Sequence, residues 1–195
     1  MSVAVGTARV TPRGAERWVR GHPWIFRSDV TEAPDIPGIV RVTDPRGRFI
    51  GQALHSPRSE IRLRLLTRGE SPIDVVWWRE RIAAAHARRA AIDATAYRVV
   101  HGEGDALPSL VVDRYDRWAA VQLLSAGLET RRAEVVAAIV EALGVEGIVL
   151  RHDAAVRRRE GLDERVEPLE ALPSQSRAHL LKQERPDTVE LQCFE

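Results

Sequence analysis

The sequence predicts an α+β protein in two parts, a mostly antiparallel β barrel or sheet followed by a small α/β unit. The first part alternates short apolar or β-branched runs with Pro and Gly turn signals, a pattern typical of short strands. The second part opens on a long helical repeat, and its net charge is opposite in sign to that of the first. Turn-forming residues cluster at 69–72, so the boundary is placed there.

Four strands and one early helix are predicted in the first part. The helix covers residues 15–20, and the strands cover residues 8–11, 39–43, 49–54 and 61–66. In the last of these strands, Arg62 and Arg64 alternate with leucines. Successive side chains of a strand point to opposite faces, so the alternation predicts one apolar face and one cationic face.

The second part is predicted to run helix, strand, strand, helix, strand. Asp74 can cap a helix that continues to about Ile92. Apolar residues recur along it at helical spacing, as at Trp78, Ile82 and Ala85. The remaining elements are strands at 96–100, 110–113 extended by 118–124, and 147–150, with a helix over 129–143 closed by the glycine at 144.

Beyond Leu162 the sequence is polar and shows no sustained period. A composition of this kind is compatible with a disordered tail or with a change of reading frame. The predicted organisation is therefore a first domain at 1–72, a second at 73–162 and a divergent, disordered tail at 163–195.

Composition excludes several classes of protein. The chain is 44% hydrophobic, and no apolar run approaches the ~20 residues that cross a bilayer. Residues 1–7 show no basic segment followed by an apolar stretch, so no secretory signal is predicted and the expected location is cytoplasmic, with no membrane partner. Cys193 is the only cysteine, which excludes an intrachain disulfide and a cysteine-based zinc cluster.

Charge is distributed unevenly along the chain. Residues 1–72 carry 12 Arg against 7 acidic residues, net +5, whereas residues 73–195 carry 17 basic against 21 acidic residues, net −4. This asymmetry is expected when one part of a protein meets phosphates and the other does not. Solvated surface arginine is the alternative interpretation.

The run at 20–26, Arg-Gly-His-Pro-Trp-Ile-Phe, follows the early helix. His22 or Trp24 could stack on an unpaired base, or Trp24 and Phe26 could instead anchor the core. The residues predicted to bind RNA are Arg13, Arg17, Arg20, Arg27, Arg46, Arg48 and Arg58 on phosphates and His22 and Trp24 on bases. Arg46 and Arg48 lie in a predicted turn, where solvation explains them equally well. Replacing Arg17 and Arg20 together is expected to weaken binding.

A second group of polar residues follows the first strand of the α/β unit. His101, Glu103 and Asp105 alternate, so in an extended segment they would project to one side and could bind a hard cation. The alternative is that these carboxylates hydrogen-bond backbone amides in a Gly-rich loop. With Asp113, the three residues define a second alternative function, a small metal-dependent enzyme.

Charged residues also follow the last predicted strand. Arg151 with Asp153, and Arg157 with Glu160, are spaced to form ion pairs. The same segment could instead be an RNA-facing edge or an interface with another domain. Both interpretations stay open from the sequence.

Three segments resemble the bacterial large-subunit ribosomal RNA cytosine-5 methyltransferases. They are the run at 20–26, the run at 98–115, and Arg151-His152-Asp153 with the residues at 157–162, in the family's order and spacing across 8–162. The resemblance implies an N-terminal PUA domain, a central α/β domain and then a Rossmann-like domain. That third domain would bind S-adenosylmethionine and carry the cysteine nucleophile.

The sequence after Leu162 does not match that third domain. It has no Gly-rich turn after an apolar strand and no Asp-Pro-Pro motif, and Cys193 stands in Gln-Cys-Phe-Glu, unlike the family's catalytic segment. No Rossmann methyltransferase domain and no catalytic, cofactor-binding or metal-binding residue is therefore predicted, and S-adenosylmethionine is implied only for full-length members. Ala106 and Ser109 are smaller departures, since family members usually have Gly there.

The expected function is RNA binding, with 23S ribosomal RNA as partner and a homodimer as the expected assembly, by a chain that is not catalytically competent alone. The first alternative is a truncated or frameshifted member of the methyltransferase family. DNA sequence beyond the codon for Leu162, read in all three frames, separates these two.

Overall fold

The computed structural model describes residues 4–167, so residues 168–195 of the predicted tail, with Cys193, lie outside the described residues. The first module (residues 4–72) contains β1 (Thr7–Val10), α1 (Pro12–Val19), β2 (Trp24–Ile25), β3 (Val30–Glu32), β4 (Gly38–Thr43), β5 (Phe49–His55) and β6 (Leu63–Thr67). The second module (residues 73–167) contains α2 (Val75–Ala87), β7 (Ala96–His101), β8 (Leu110–Tyr115), β9 (Trp118–Leu123), α3 (Ala126–Glu129), α4 (Arg132–Leu143), β10 (Gly147–His152), α5 (Val156–Glu160) and β11 (Arg165–Glu167).

The strands of the first module form one sheet in the order β2-β6-β5-β4-β1-β3. Neighbouring strands are antiparallel except β1 and β4, which run parallel. The edge strands β2 and β3 are consecutive in the chain and are joined only by residues 26–29. A flat sheet of this width would hold its edges about 24 Å apart, whereas this connection reaches only about 17 Å. The sheet therefore curls into a nearly closed barrel, as the sequence predicts.

Helix α1 closes the barrel through Trp18, which is fully buried among the strand residues. Its ring lies over Gly51 of β5, where a Cβ atom would come within 3.1 Å of Trp18 Cζ3. The same Cβ atom would lie 2.7 Å from the Thr67 carbonyl oxygen of β6, so a side chain at position 51 would have to displace β6 as well as the Trp18 ring. This packing fixes the side of α1 that faces solvent.

The second module is a five-stranded sheet in the order β11-β10-β9-β8-β7, with one face covered by helices α2 and α4. As predicted, Asp74 caps α2, its side chain accepting a hydrogen bond from the Trp77 N–H at 3.0 Å. Trp78, Ile82 and Ala85 are buried against the sheet, as their spacing predicts.

Several features of this module differ from the prediction. Helix α2 ends at Ala87 and not near Ile92, the strand expected at 110–113 and 118–124 is an antiparallel pair, β8 and β9, and α5 was not expected. The single helix expected over 129–143 is two helices, α3 and α4, and α3 begins where Ser125 Oγ accepts a hydrogen bond from the Leu128 N–H at 3.3 Å. Gly144 ends α4 with a φ of 62°, as predicted. Strand β11 was not expected; it lies beyond Leu162 and pairs antiparallel with β10.

The two modules share a continuous interior. Leu54 and Leu66 of the barrel belong to the same buried cluster as Trp78 and Leu128 of the second module. Within residues 4–167, no helix is long and apolar enough to cross a membrane.

A buried ion pair also joins the modules. Arg64 of β6 contacts Glu160 of α5 at 2.7 Å, with side-chain exposures of 6% and 2%. Burial alone would raise the pKa of Glu160. The charge of Arg64 and hydrogen bonds involving Ser59 and Ser56 outweigh this effect, so the pKa is lowered overall and the carboxylate stays ionised. The cationic face predicted for this strand is therefore wrong at Arg64, because the side chain points into the junction and its charge is neutralised there.

Candidate nucleic-acid interface

The predicted RNA-binding residues of α1 are organised around one buried carboxylate, Asp29. Thr11 Oγ1 caps α1 by accepting a hydrogen bond from the Gly14 N–H at 3.1 Å, and the same hydroxyl donates to Asp29 Oδ1 at 3.3 Å. Arg13 Nε lies 3.0 Å from Asp29 Oδ1, and Arg17 Nε lies 3.1 Å from Oδ2. Asp29 therefore orients two arginines while the Arg13 side chain stays 66% exposed.

Arg20 completes the cluster on the same side of α1. Its side chain is 76% exposed and contacts Glu16 at 2.6 Å, one helical turn earlier. With Arg13 and Arg17, it lines an open depression on the surface that also includes His22. Three arginines facing the carboxylates of Glu16 and Asp29 leave this surface with a net positive charge, which favours an anionic ligand.

His22 lines this depression, and Trp24 lies next to His22 outside the lining. The Trp24 backbone N–H donates to His22 Nδ1 at 3.1 Å, and the two rings meet edge to face with centroids 5.9 Å apart. Both side chains are half-buried. The Trp24 indole N–H donates to Glu103 Oε1 of the second module at 2.8 Å, so Trp24 is neither a barrel core residue nor a free ring.

The other predicted residues lie elsewhere on the barrel. β1 and β4 run parallel, so the turn that follows β4 lies at the same end of the barrel as the start of α1. Arg46 and Arg48 are exposed in that turn, and Arg48 pairs with Asp44 at 2.7 Å.

Arg27 lies two residues before Asp29, and its Nη2 donates to the Arg58 carbonyl oxygen at 2.7 Å, in the segment between β5 and β6. Neither Arg27 nor Arg58 lines the depression. The nine predicted residues therefore do not form one patch, and the depression beside α1 is the part where they converge.

The group at His101 to Asp113 does not form a metal site. Residues 102–105 form a 3₁₀ turn rather than an extended strand. Asp105 pairs with Arg88 and Arg89, each at 2.7 Å, and Asp113 pairs with Arg98 at 2.7 Å. No three His, Cys, Asp or Glu residues in the described part of the chain are placed to hold a metal ion.

The charge on Asp105 is fixed by its contacts. Burial opposes ionisation, but hydrogen bonds from Arg89 and Arg88 and from the His101 backbone N–H lower the pKa of Asp105 to about 2. This carboxylate fastens the loop at 102–105 to the end of α2, which is the alternative that the sequence left open.

Ion pairs after β10 follow the prediction in part. Arg151 pairs with Asp153 at 2.7 Å, as predicted. Arg157 pairs instead with Glu129 at 2.9 Å, because Glu160 turns into the junction between the modules. The predicted pairing of Arg157 with Glu160 is wrong.

A family model described as a PUA-like domain matches residues 8–68, which span the barrel and α1. The first module therefore contains a PUA-like domain, as the resemblance implied.

Curated relatives cover both modules. The chain is 36% identical over 155 residues to the ribosomal RNA large subunit methyltransferase I of Tolumonas auensis, a match that covers 75% of this chain and 39% of that protein. The protein of the same name from Vibrio cholerae is 34% identical over 154 residues, with the same two coverages. The chain thus spans about two fifths of the length of the curated relatives that it matches.

Solved structures share this fold. A candidate SAM-dependent methyltransferase from Streptococcus mutans matches 74% of this chain and 40% of its own, with a TM-score of 0.67 at 18% identity. A second structure, a candidate methyltransferase complexed with SAH, has a TM-score of 0.68 at the same identity. At this identity the likeness shows the fold alone.

Proposed function

We propose that this chain binds ribosomal RNA through the depression beside α1, as the RNA-binding part of an rRNA methyltransferase-like protein. The observation that carries the proposal is the convergence of Arg13, Arg17 and Arg20 on one open surface of the PUA-like domain. The name shared by the curated relatives supports ribosomal RNA as the ligand.

The geometry suits an RNA backbone. Arg13 and Arg20 extend into solvent, and each guanidinium keeps N–H donors beyond those used on Asp29 or Glu16. Two phosphates along one RNA strand can therefore accept hydrogen bonds from two guanidinium groups that these ion pairs orient before binding. His22 at the edge of the depression offers a ring face to an unpaired base.

The finer assignments belong to the same proposal. The target is 23S RNA and the modification of the relatives is at cytosine C5, with methyl transfer carried by the part of the relatives outside the match. The topology of residues 4–167 supports this division, because only β1–β4 and β9–β10 are parallel pairs, whereas a Rossmann cofactor domain is built on a mostly parallel sheet. S-adenosylmethionine is then a cofactor of the full-length relatives. The expected homodimer stays a prediction.

The test of RNA binding uses Arg13→Gln with Arg20→Gln. This pair leaves Arg17 on Asp29, so it tests the surface more cleanly than the replacement of Arg17 and Arg20. We expect the double variant to bind a 23S RNA fragment at least about tenfold more weakly at low salt, because two phosphate contacts are lost. Fluorescence anisotropy of the labelled fragment measures the affinity.

The matched control replaces two partly exposed arginines of α2 in the second module, Arg79 and Arg81, with Gln. It removes the same charge and should bind nearly as tightly as the original chain. Equal affinities of the two double variants would reject the depression as the binding site. Methyl transfer from S-adenosylmethionine to 23S RNA by this chain alone would contradict the proposal that methyl transfer belongs to the part of the relatives outside the match.

A further inference from the structure

The second sheet has one face that no helix covers within residues 4–167. Residues of β7 to β10 that point toward α2 and α4, such as Val112 and Val121, are fully buried. The residues between them point the other way, and we call that surface the open face. Its polar and aromatic members include Arg98, His101, Asp113, Tyr115, Trp118 and Arg151.

Two aromatic side chains lie next to each other on the open face. Tyr115 of β8 and Trp118 of β9 are directly paired across the hairpin, with exposures of 53% and 42%. Their outer neighbours in the same row are Ala96 and Gly147, which are too small to cover the rings. The row therefore presents an exposed aromatic surface.

Basic groups accompany these rings. Arg98 Nε and Nη2 donate to the Asp113 carboxylate at 2.7 and 3.0 Å, and Arg98 Nη1 lies 3.2 Å from His101 Nδ1. Arg151 adds a second guanidinium on β10. Arg151 is paired with Asp153 at 2.7 Å as Arg98 is with Asp113, so each guanidinium of this face is held by one carboxylate and keeps further N–H donors for a ligand.

The open face continues from the depression on the barrel. Glu103, which accepts the Trp24 indole N–H, follows His101 by two residues, so their Cα atoms are at most about 7 Å apart. A ligand that reaches His22 and Trp24 therefore arrives at the edge of β7. Tyr115 lies four residues along β8 from the partner of His101, about 14 Å away, so one RNA strand that contacts both surfaces must extend along the sheet over that distance.

We propose that the open face binds unpaired RNA bases, which stack on Tyr115 and Trp118 while their phosphates meet Arg98 and Arg151. This inference rests on the proposed RNA-binding function and adds a second surface to it. Adjacent exposed rings beside guanidinium groups are the combination that binds single-stranded nucleic acid, because every base offers a π face and every link carries a charge.

The experiment compares an RNA hairpin from 23S RNA with the same hairpin carrying a short unpaired extension. We expect the extension to raise the affinity of the original chain by about tenfold, the gain typical of stacking one or two bases. Tyr115→Ala with Trp118→Ala should remove this gain and leave hairpin binding unchanged. Tyr115→Phe with Trp118→Phe keeps both rings and should retain the gain.

Val76→Ala with Ile92→Ala is the matched control, since both side chains are exposed apolar residues outside the open face, with exposures of 42% and 46%. A second measurement does not depend on the alanine variant folding. The extended RNA should quench tryptophan fluorescence less in Trp118→Phe than in the original chain, and equal quenching would overturn the proposal.

The outcomes separate the two proposed surfaces. If Tyr115→Ala with Trp118→Ala keeps the gain from the extension, the open face does not bind RNA; if that variant instead abolishes self-association, the face is a protein interface. If Arg13→Gln with Arg20→Gln leaves hairpin affinity unchanged while the extension still adds affinity, the depression is rejected and the open face stands.

Discussion

Arginine has two opposite roles in two regions of the molecule, the junction between the modules and the surface of α1. Arg64, at the junction between the modules, is buried, and its charge is neutralised by Glu160 at 2.7 Å. Arg13 and Arg20, on α1, are mostly exposed and rest against carboxylates without being enclosed. The same side chain thus stabilises an interior in one place and presents a positive surface in the other.

The two regions differ in what the arginine charge does: at the junction it affects the stability of the fold, and on α1 it is available to a ligand. A buried pair that loses one partner leaves an uncompensated charge in a medium of low dielectric constant, which strongly destabilises the fold. An exposed arginine contributes little to stability because water screens it, so its charge remains available to a ligand. The net charge of a segment therefore says little about binding until burial is known.

The largest effect is expected at the junction. Glu160→Gln keeps the shape of the side chain but leaves Arg64 buried without a counter-charge, which should lower the free energy of unfolding by about 3–5 kcal/mol. Urea denaturation at neutral pH measures the loss. Glu146→Gln, which breaks the exposed pair with Arg117, should cost under about 1 kcal/mol. Similar midpoints for the two variants would contradict the assigned role of the junction.

A smaller effect is expected at Asp105. Its pKa is lowered to about 2 by contacts present only in the folded protein, so it stabilises the fold by roughly 2 kcal/mol above pH ~4, and this contribution is lost as the pH falls toward 2. Asp105→Asn should therefore unfold more easily at neutral pH and show a flatter loss of stability in acid. Urea titrations across this pH range test both effects, with Asp153→Asn as a more exposed control. Parallel pH profiles for the original chain and Asp105→Asn would refute the assignment.

The smallest effect on stability should be a gain. Ala106 is exposed and has a φ of 55°, in the left-handed region that disfavours residues with a Cβ atom. Ala106→Gly should raise the free energy of unfolding by up to about 1 kcal/mol, as relief of strain exceeds the added freedom of the unfolded chain. Ala90→Gly, at an exposed position with negative φ, should lower it instead. A melting temperature that falls in both variants would show that position 106 is not strained.

The sequence predicts the parts of the fold that depend on neighbouring residues. Helix α2 follows from its cap at Asp74 and from apolar residues one turn apart, and both signals are local. The positive φ values at Ala106 and Ser109 agree with the glycines expected there from the family resemblance.

The contacts between distant segments could not be predicted in this way. Arg64 and Glu160 are 96 positions apart, and Trp24 and Glu103 are 79 positions apart. No periodicity connects such pairs, because their partners are chosen by how the two modules pack. For this reason the alternation of residues in the strand at 61–66 predicted that Arg64 lies on a cationic face, and the sequence predicted that Trp24 either packs in the core or contacts RNA.

The candidate site was predicted as a set of residues, and the structure separates that set. Arg13, Arg17, Arg20 and His22 converge because α1 and the following turn bring them together. Arg27 and Arg58 had the same sequence signal, a basic residue beside a turn, yet Arg27 is held against the Arg58 carbonyl oxygen and neither residue lines the depression. Charge patterning therefore identifies the module that carries the site, and the topology selects the residues within it.

The most direct test of RNA binding by the α1 surface is the salt dependence of affinity for a 23S RNA fragment. Each phosphate contact releases counterions, so the slope of log affinity against log salt concentration should become shallower by roughly 1.4–1.8 in Arg13→Gln with Arg20→Gln. It should stay unchanged in Arg79→Gln with Arg81→Gln. A slope in the first variant that equals that of the original chain would mean that these arginines do not contact phosphates, and the central claim would be wrong.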